Sequence, residues 1–148
     1  MIVEVIVENL EVKLGLFEKL DAIVKEDAII ASNTSCLSVT AMAAKMKRPE
    51  RFVGLHFFNP PYAMRLVEVI EAIQTAPEIL QFGVAFCQRI GKTPVPVKDR
   101  PGFLVNRLLV PYLNHAAQAF DDALADRESL DQSINKGLGH PMGPLTLL

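Results

Sequence analysis

The stretch His56-Phe57-Phe58-Asn59-Pro60-Pro61, followed by Leu66-Val67-Glu68-Val69, decides how this chain is read. Residues 52–57 and 66–70 are apolar runs that predict strands, and the Asn-Pro-Pro segment between them predicts a turn. A turn that reverses the chain brings Glu68 back towards His56. An imidazole held by a carboxylate is a general base that works near neutral pH. The pair points to proton abstraction from a substrate. The competing reading is a histidine and a glutamate paired for structure alone.

Working outward, residues 2–7 are apolar except for Glu4 and predict a buried strand. Asn9 can cap a following helix, in which Leu16, Phe17, Leu20, Ile23 and Val24 share one face. Residues 28–31 predict a short strand, and Ser38 can cap a short helix ending near Met46. Thr75 and Pro77 open another helix, which runs to about Ile90 with Gly91 as its C-terminal cap. Residues 93–97 predict a last strand. Strand and helix alternate, so the class is α/β: a mostly parallel sheet covered by helices. The consecutive strands at 52–57 and 66–70 break the alternation and predict a mixed sheet edge.

The pattern changes at Lys98-Asp99-Arg100-Pro101-Gly102, a charged segment with a helix breaker that reads as a linker. Beyond it the chain reads as all-α. Leu104, Leu108, Tyr112, Ala116 and Phe120 recur at a spacing of four, and Pro111 should kink that helix. Ser129 can cap a second helix ending at Lys136, with Gly137 as its stop, and a third should begin after Pro144. The chain divides into residues 1–99 and 100–148.

Composition narrows the function. The net charge is only −2, and no basic cluster indicates nucleic acid or an anionic membrane surface. The apolar runs are too short to span a bilayer. His115 and His140 belong to no catalytic pattern. Cys36 and Cys87 lack metal-ligand spacing and predict buried free thiols in a reducing compartment. With no signal peptide after Met1, the expected location is the cytoplasm, or an organelle matrix in a eukaryote.

Six segments extend this reading. In order they are Ser32-Asn33-Thr34-Ser35, Gly54-Leu55-His56-Phe57-Phe58-Asn59-Pro60, Arg65-Leu66-Val67-Glu68-Val69-Ile70, Gly91-Lys92-Thr93-Pro94, Pro101-Gly102-Phe103-Leu104-Val105-Asn106-Arg107 and Pro141-Met142-Gly143-Pro144. Together they resemble the L-3-hydroxyacyl-CoA dehydrogenase family, which includes the 3-hydroxybutyryl-CoA dehydrogenases. The resemblance implies the second half of a Rossmann-type NAD-binding domain over 1–99. Over 100–148 it implies the first helices of a 6-phosphogluconate-dehydrogenase-like helical domain. It also implies NAD as cofactor, an acyl-CoA substrate and a homodimer formed through the helical part.

The resemblance assigns roles as well. His56 would be the base and Glu68 its support. Ser35 and Asn106 would contact the substrate's reacting oxygen, and Ser35 the cofactor too. Asn59, Glu8 and Lys13 would lie along the nicotinamide, its ribose and the phosphates. Four of them have a plainer reading: Ser35 as a loop serine, Asn106 as a helix-surface amide, Asn59 as an Asn-Pro turn former and Lys13 as a solvated helix lysine. Glu71, outside the matching segment, reads as an exposed strand carboxylate.

One expected feature is missing. A Gly-x-Gly-x-x-Gly turn, with an acidic residue about twenty positions later, normally holds the dinucleotide, and this chain has neither. The expectation is an internal piece of a longer enzyme. Two rivals stand beside the dehydrogenase: a sugar-acid dehydrogenase of the L-gulonate type on the same scaffold, and an inactive acyl-CoA-binding or assembly fragment.

Overall fold

A computed structural model describes residues 1–148 and resolves them into two compact units, Met1–Leu104 and Val105–Leu148. In the first unit five strands lie side by side in chain order: β1 (Ile2–Glu4), β2 (Ile30–Ser32), β3 (Phe52–Phe57), β4 (Leu66–Glu71) and β5 (Thr93–Lys98). β1, β2 and β3 run parallel, β4 is antiparallel to β3, and β5 is parallel to β4. The reversal thus falls inside the sheet rather than at the edge the sequence suggested. The outermost strand on that side is β5. Its Pro94 and Pro96 are two residues apart and lack their amide donors on the same side, which only an edge strand tolerates.

Strand alternation sorts the side chains onto two faces. On one face Ile30, Phe52 and Ile70 pack with Phe17 of helix α1 (Leu10–Ile23) and with Val39, Met42 and Ala43 of α2 (Val39–Ala43). On the other, Ala31, Val53, Leu55, Val67 and Val69 pack against Ile79 and Cys87 of α3 (Pro77–Arg89). Gly54 lies on the first face. A Cβ there would come within 2.7 Å of Ile70 Cβ and 2.9 Å of Val39 Cγ2, so its lack of a side chain lets α2 approach the sheet.

Local signals account for most helix ends. Asn9 Oδ1 accepts the Val12 amide, and Ser38 Oγ accepts the Ala41 amide. Pro77 opens α3, and Gly91 follows its end at φ 76°.

Three expectations for this unit are corrected. The first strand stops at Glu4 and does not run to Val7. Ile6 N, which would continue the ladder towards β2, is taken instead by the Glu4 carboxylate at 2.7 Å, and Val5 and Val7 are exposed. On α1 the packed face is Leu10, Leu14, Phe17, Leu20 and Val24, while Ile23 points to solvent. Both cysteines are free, but only Cys87 is buried; Cys36 lies exposed on the loop after β2.

The second unit contains α4 (Val105–Asp121), α5 (Arg127–Leu138) and α6 (Pro144–Leu147). Of the apolar row at a spacing of four, Leu104, Leu108 and Phe120 are exposed, while Tyr112 and Ala116 are partly buried. A four-residue row advances about 40° per step on a helix of 3.6 residues per turn, so the five positions spread over about 160°. On α5 the cap is Asp126, whose carboxylate accepts the Ser129 amide, and the stop is Gly139 at φ 72°, not Ser129 and Gly137. Asp131 on α5 holds the start of α6 by accepting from Leu145 N and Thr146 Oγ1. No helix is long and apolar enough to cross a membrane.

Candidate active site

Because β1, β2 and β3 are parallel, the loops that follow them leave the sheet at one edge, the carboxyl end. In open α/β sheets this is where ligands bind. Every candidate residue of the first unit lies at that edge or in the helix beside it.

His56 and Glu68 are register partners across the antiparallel β3–β4 pair. Residues directly opposite each other share a face, here the face of α1 and α2. His56 Nδ1 lies 2.8 Å from Glu68 Oε2, and the two residues are 4% and 1% exposed. The other carboxylate oxygen, Oε1, accepts the Leu104 amide at 3.0 Å. Phe58 and Phe103 pack on the imidazole, with ring centroids 4.5 and 5.6 Å away. A carboxylate can only accept, so Nδ1 carries the proton and Nε2 the lone pair. This is the arrangement of an oriented general base.

The loop after β3 is secured at both ends. Phe57 N donates to Asn33 Oδ1 at 2.8 Å, tying β3 to the loop after β2. Lys92 Nζ donates to the carbonyls of Pro61 and Met64. Asn59 lies exposed between these anchors, at a cis Asn59–Pro60 bond.

Glu8, Lys13 and Ser35 meet in a second cluster. Glu8 Oε1 accepts Thr34 Oγ1 at 2.6 Å, Ser35 N at 2.8 Å and Cys36 N at 3.1 Å. Burial pushes the Glu8 carboxyl up, but these bonds, led by the one from Thr34, bring it below its ordinary 4.5. The Cys36 thiol is pushed up, first by burial and then by Glu8 against it.

Lys13 is no solvated lysine. It is 1% exposed, with Nζ 2.5 Å from Glu4 Oε1, 3.3 Å from Ile6 O and 3.5 Å from Glu8 Oε2. An ammonium has three hydrogens, and three acceptors surround it. Glu4, whose side chain is 0% exposed, was missed from the sequence. A single acid in an apolar strand run is the only signal that could have marked it. Asn106 belongs to the second unit, on the first turn of α4. Glu71 is half-buried and pairs with Lys98 at 2.6 Å.

A mixed α/β sheet with helices on both faces and a paired histidine at its carboxyl edge has the architecture of part of a Rossmann-type domain. The model for the 3-hydroxyacyl-CoA dehydrogenase NAD-binding domain matches residues 1–100, and that for the C-terminal domain of the same enzymes matches residues 102–148. The chain belongs to the 3-hydroxyacyl-CoA dehydrogenase family. It is 49% identical over 148 residues to the mitochondrial hydroxyacyl-coenzyme A dehydrogenase of Sus scrofa, covering 100% of this chain and 47% of that protein. It is 43% identical over 147 residues to the 3-hydroxybutyryl-CoA dehydrogenase of Clostridioides difficile, covering 99% and 52%. The crystal structure of the (S)-3-hydroxybutyryl-CoA dehydrogenase of Ralstonia eutropha superposes with a TM-score of 0.96 at 43% identity, over 99% of this chain and 52% of that one. The chain spans about half the length of the curated relatives it matches.

Proposed function

We propose that this chain contributes the catalytic half of an NAD-dependent dehydrogenase that oxidises a (3S)-3-hydroxyacyl-CoA to the 3-oxoacyl-CoA, in fatty-acid β-oxidation or butanoate metabolism. The observation that carries the reading is the buried pair of His56 Nδ1 and Glu68 Oε2 at 2.8 Å. Loss of hydride from a secondary alcohol requires loss of the hydroxyl proton, and His56 Nε2 takes that proton. Glu68 fixes the tautomer and stabilises the imidazolium that forms, as the aspartate does in a serine-protease triad. Ser35 and Asn106 donate hydrogen bonds to the reacting oxygen as it becomes a carbonyl. Asn106 enters this reading through the family motif.

NAD, when bound, supplies the hydride acceptor. The residues at the edge suit its nicotinamide half. Glu8 keeps 36% of its side chain exposed; its Oε1 holds the loop, and Oε2, 3.5 Å from Lys13 Nζ, is an acceptor for a ribose hydroxyl. Asn59 and Ser35 flank the nicotinamide. Lys13, held by Glu4 and 3.5 Å from Glu8 Oε2, places its charge beside Glu8 on the ribose and phosphate side of the cofactor. Residues 1–99 act as the partial NAD-binding part and 100–148 as the partial helical part, through which two copies pair. The proposed compartment is the cytoplasm.

The test offers this chain NAD with (3S)-3-hydroxybutyryl-CoA or with L-gulonate and follows NADH at 340 nm. Turnover of the thioester alone is expected. Turnover of the sugar acid alone would move the assignment to that dehydrogenase. No turnover together with retained acyl-CoA binding would favour the inactive binding fragment.

A further inference from the structure

Glu4 sits beneath both loops that form the cofactor edge, and none of the roles above uses it. Its Oε1 accepts Lys13 Nζ at 2.5 Å and Ile6 N at 2.7 Å, and its Oε2 accepts Ser32 Oγ at 2.6 Å. Ser32 Oγ in turn accepts the Thr34 amide at 3.3 Å, and Thr34 Oγ1 donates to Glu8. Register explains the assembly. Glu4, Ser32 and Gly54 are neighbours in one row across β1, β2 and β3, on the face that carries His56 two residues further along β3. One buried carboxylate therefore fixes the loop after β1 through Ile6 and Lys13, and the loop after β2 through Ser32.

The charges decide what this does. Lys13 lies between two carboxylates, Glu4 at 2.5 Å and Glu8 at 3.5 Å. Held by the nearer and fully buried one, it only leans on Glu8. Glu8 stays on the amides of Ser35 and Cys36 and keeps a net negative charge at the edge. Such a site accepts from neutral hydroxyls and repels phosphate.

We propose that Glu4 is the positioning residue of this edge: by binding Lys13 more closely than Glu8 does, it keeps Glu8 on the loop amides and presents Glu8 Oε2 to an uncharged, hydroxyl-bearing group, the ribose diol of the nicotinamide cofactor. The ribose assignment rests on the function proposed above; the positioning does not. Without the Glu4 charge, Lys13 has one carboxylate left, closes on Glu8 and draws it off the loop.

Cys36 reports this without any cofactor. Its Sγ lies 3.5 Å from Glu8 Oε1 and it is exposed, whereas Cys87 is buried and serves as the internal folding control. The experiment measures the alkylation rate of Cys36 by iodoacetamide, and separately the Kd for NADH. The chains compared are the wild type, Glu4→Gln, Glu4→Asp and the double variant Glu4→Gln/Lys13→Met.

In Glu4→Gln the Cys36 rate is expected to rise, about tenfold for each unit that the thiol pKa falls, and NADH binding to weaken. Glu4→Asp keeps the charge and should lie close to wild type. The double variant removes the freed ammonium as well, so both readings should return towards wild type, a coupling that a merely structural role would not produce. If Glu4→Gln does not fold, the double variant decides by the same comparison with wild type. A Cys36 rate unchanged in a folded Glu4→Gln chain, or a double variant no nearer wild type than the single, would overturn the positioning. A restored Cys36 rate with an NADH Kd that is the same in all four chains would keep the positioning and defeat the ribose assignment.

Discussion

In a Glu68→Ala chain the His56 Nδ1–H and the Leu104 N–H lose the oxygens they donate to, at 2.8 and 3.0 Å. The buried Nδ1–H left unpaired costs about 1–3 kcal/mol, and the part-buried Leu104 amide adds about 1 kcal/mol at most, so the pair predicts a loss of about 1–4 kcal/mol. At a urea slope of about 2 kcal/mol per molar, the midpoint falls by roughly 0.5–2 M. Glu68→Gln behaves differently. Its carbonyl can keep the Leu104 amide, and its NH2 then faces His56 Nδ1. Two donors cannot share that contact, so the imidazole proton moves to Nε2 and Nδ1 accepts. Both bonds survive, and stability should stay within about 1 kcal/mol of wild type. The nitrogen proposed to take the substrate proton, however, now already carries one. Urea unfolding followed by circular dichroism reads the stability. Long-range proton–nitrogen correlation in the imidazole reads the tautomer. A Glu68→Ala chain as stable as wild type, or a Glu68→Gln chain that keeps its proton on Nδ1, would refute the reasoning.

Three further outcomes follow from the packing and the titrating groups. Gly54→Ala drives a methyl into Ile70 and Val39 at 2.7 and 2.9 Å, and should cost about 1–3 kcal/mol in a thermal melt. The Cys87 thiol is pushed by burial up to about 11, so Ellman's reagent at pH 8 should titrate Cys36 alone in the native chain and both thiols in denaturant. Glu8 is held below its ordinary 4.5. A depressed carboxyl contributes stability that is present above the unfolded value and lost as pH falls through the folded one. The amide resonances of Ser35 and Cys36 should therefore hold steady down to about pH 4.5 and shift together below it.

The parts of this molecule legible in its sequence are those set by short-range chemistry. Asn9, Ser38, Pro77 and Gly91 mark helix ends through bonds and dihedrals within a few residues, and all four sit where the pattern placed them. The meeting of His56 and Glu68 was legible because a turn between two strands leaves few registers. Lys13 and Glu4 were not, because the acid lies on a strand and the base on the next helix, and only the folded sheet buries them together. Glu4 read as the lone acid of a buried strand, and Lys13 as a cofactor-site or solvated lysine, with nothing to link them until three acceptors are seen around one ammonium. On α4 the spacing of four marks apolar positions but not their burial, which depends on what packs against the helix. Cys36 was misjudged because burial follows from the loop that carries it, and that loop is shaped by Glu8 from another element.

The most direct test of the account is NADH oxidation by acetoacetyl-CoA, measured on this chain and on its His56→Gln variant, with both shown to be folded. A positioned general base contributes about 10²–10⁴-fold. The account predicts a wild-type rate that falls by that factor in the variant, while NADH binding is unchanged. A folded variant that oxidises NADH as fast as wild type would contradict it.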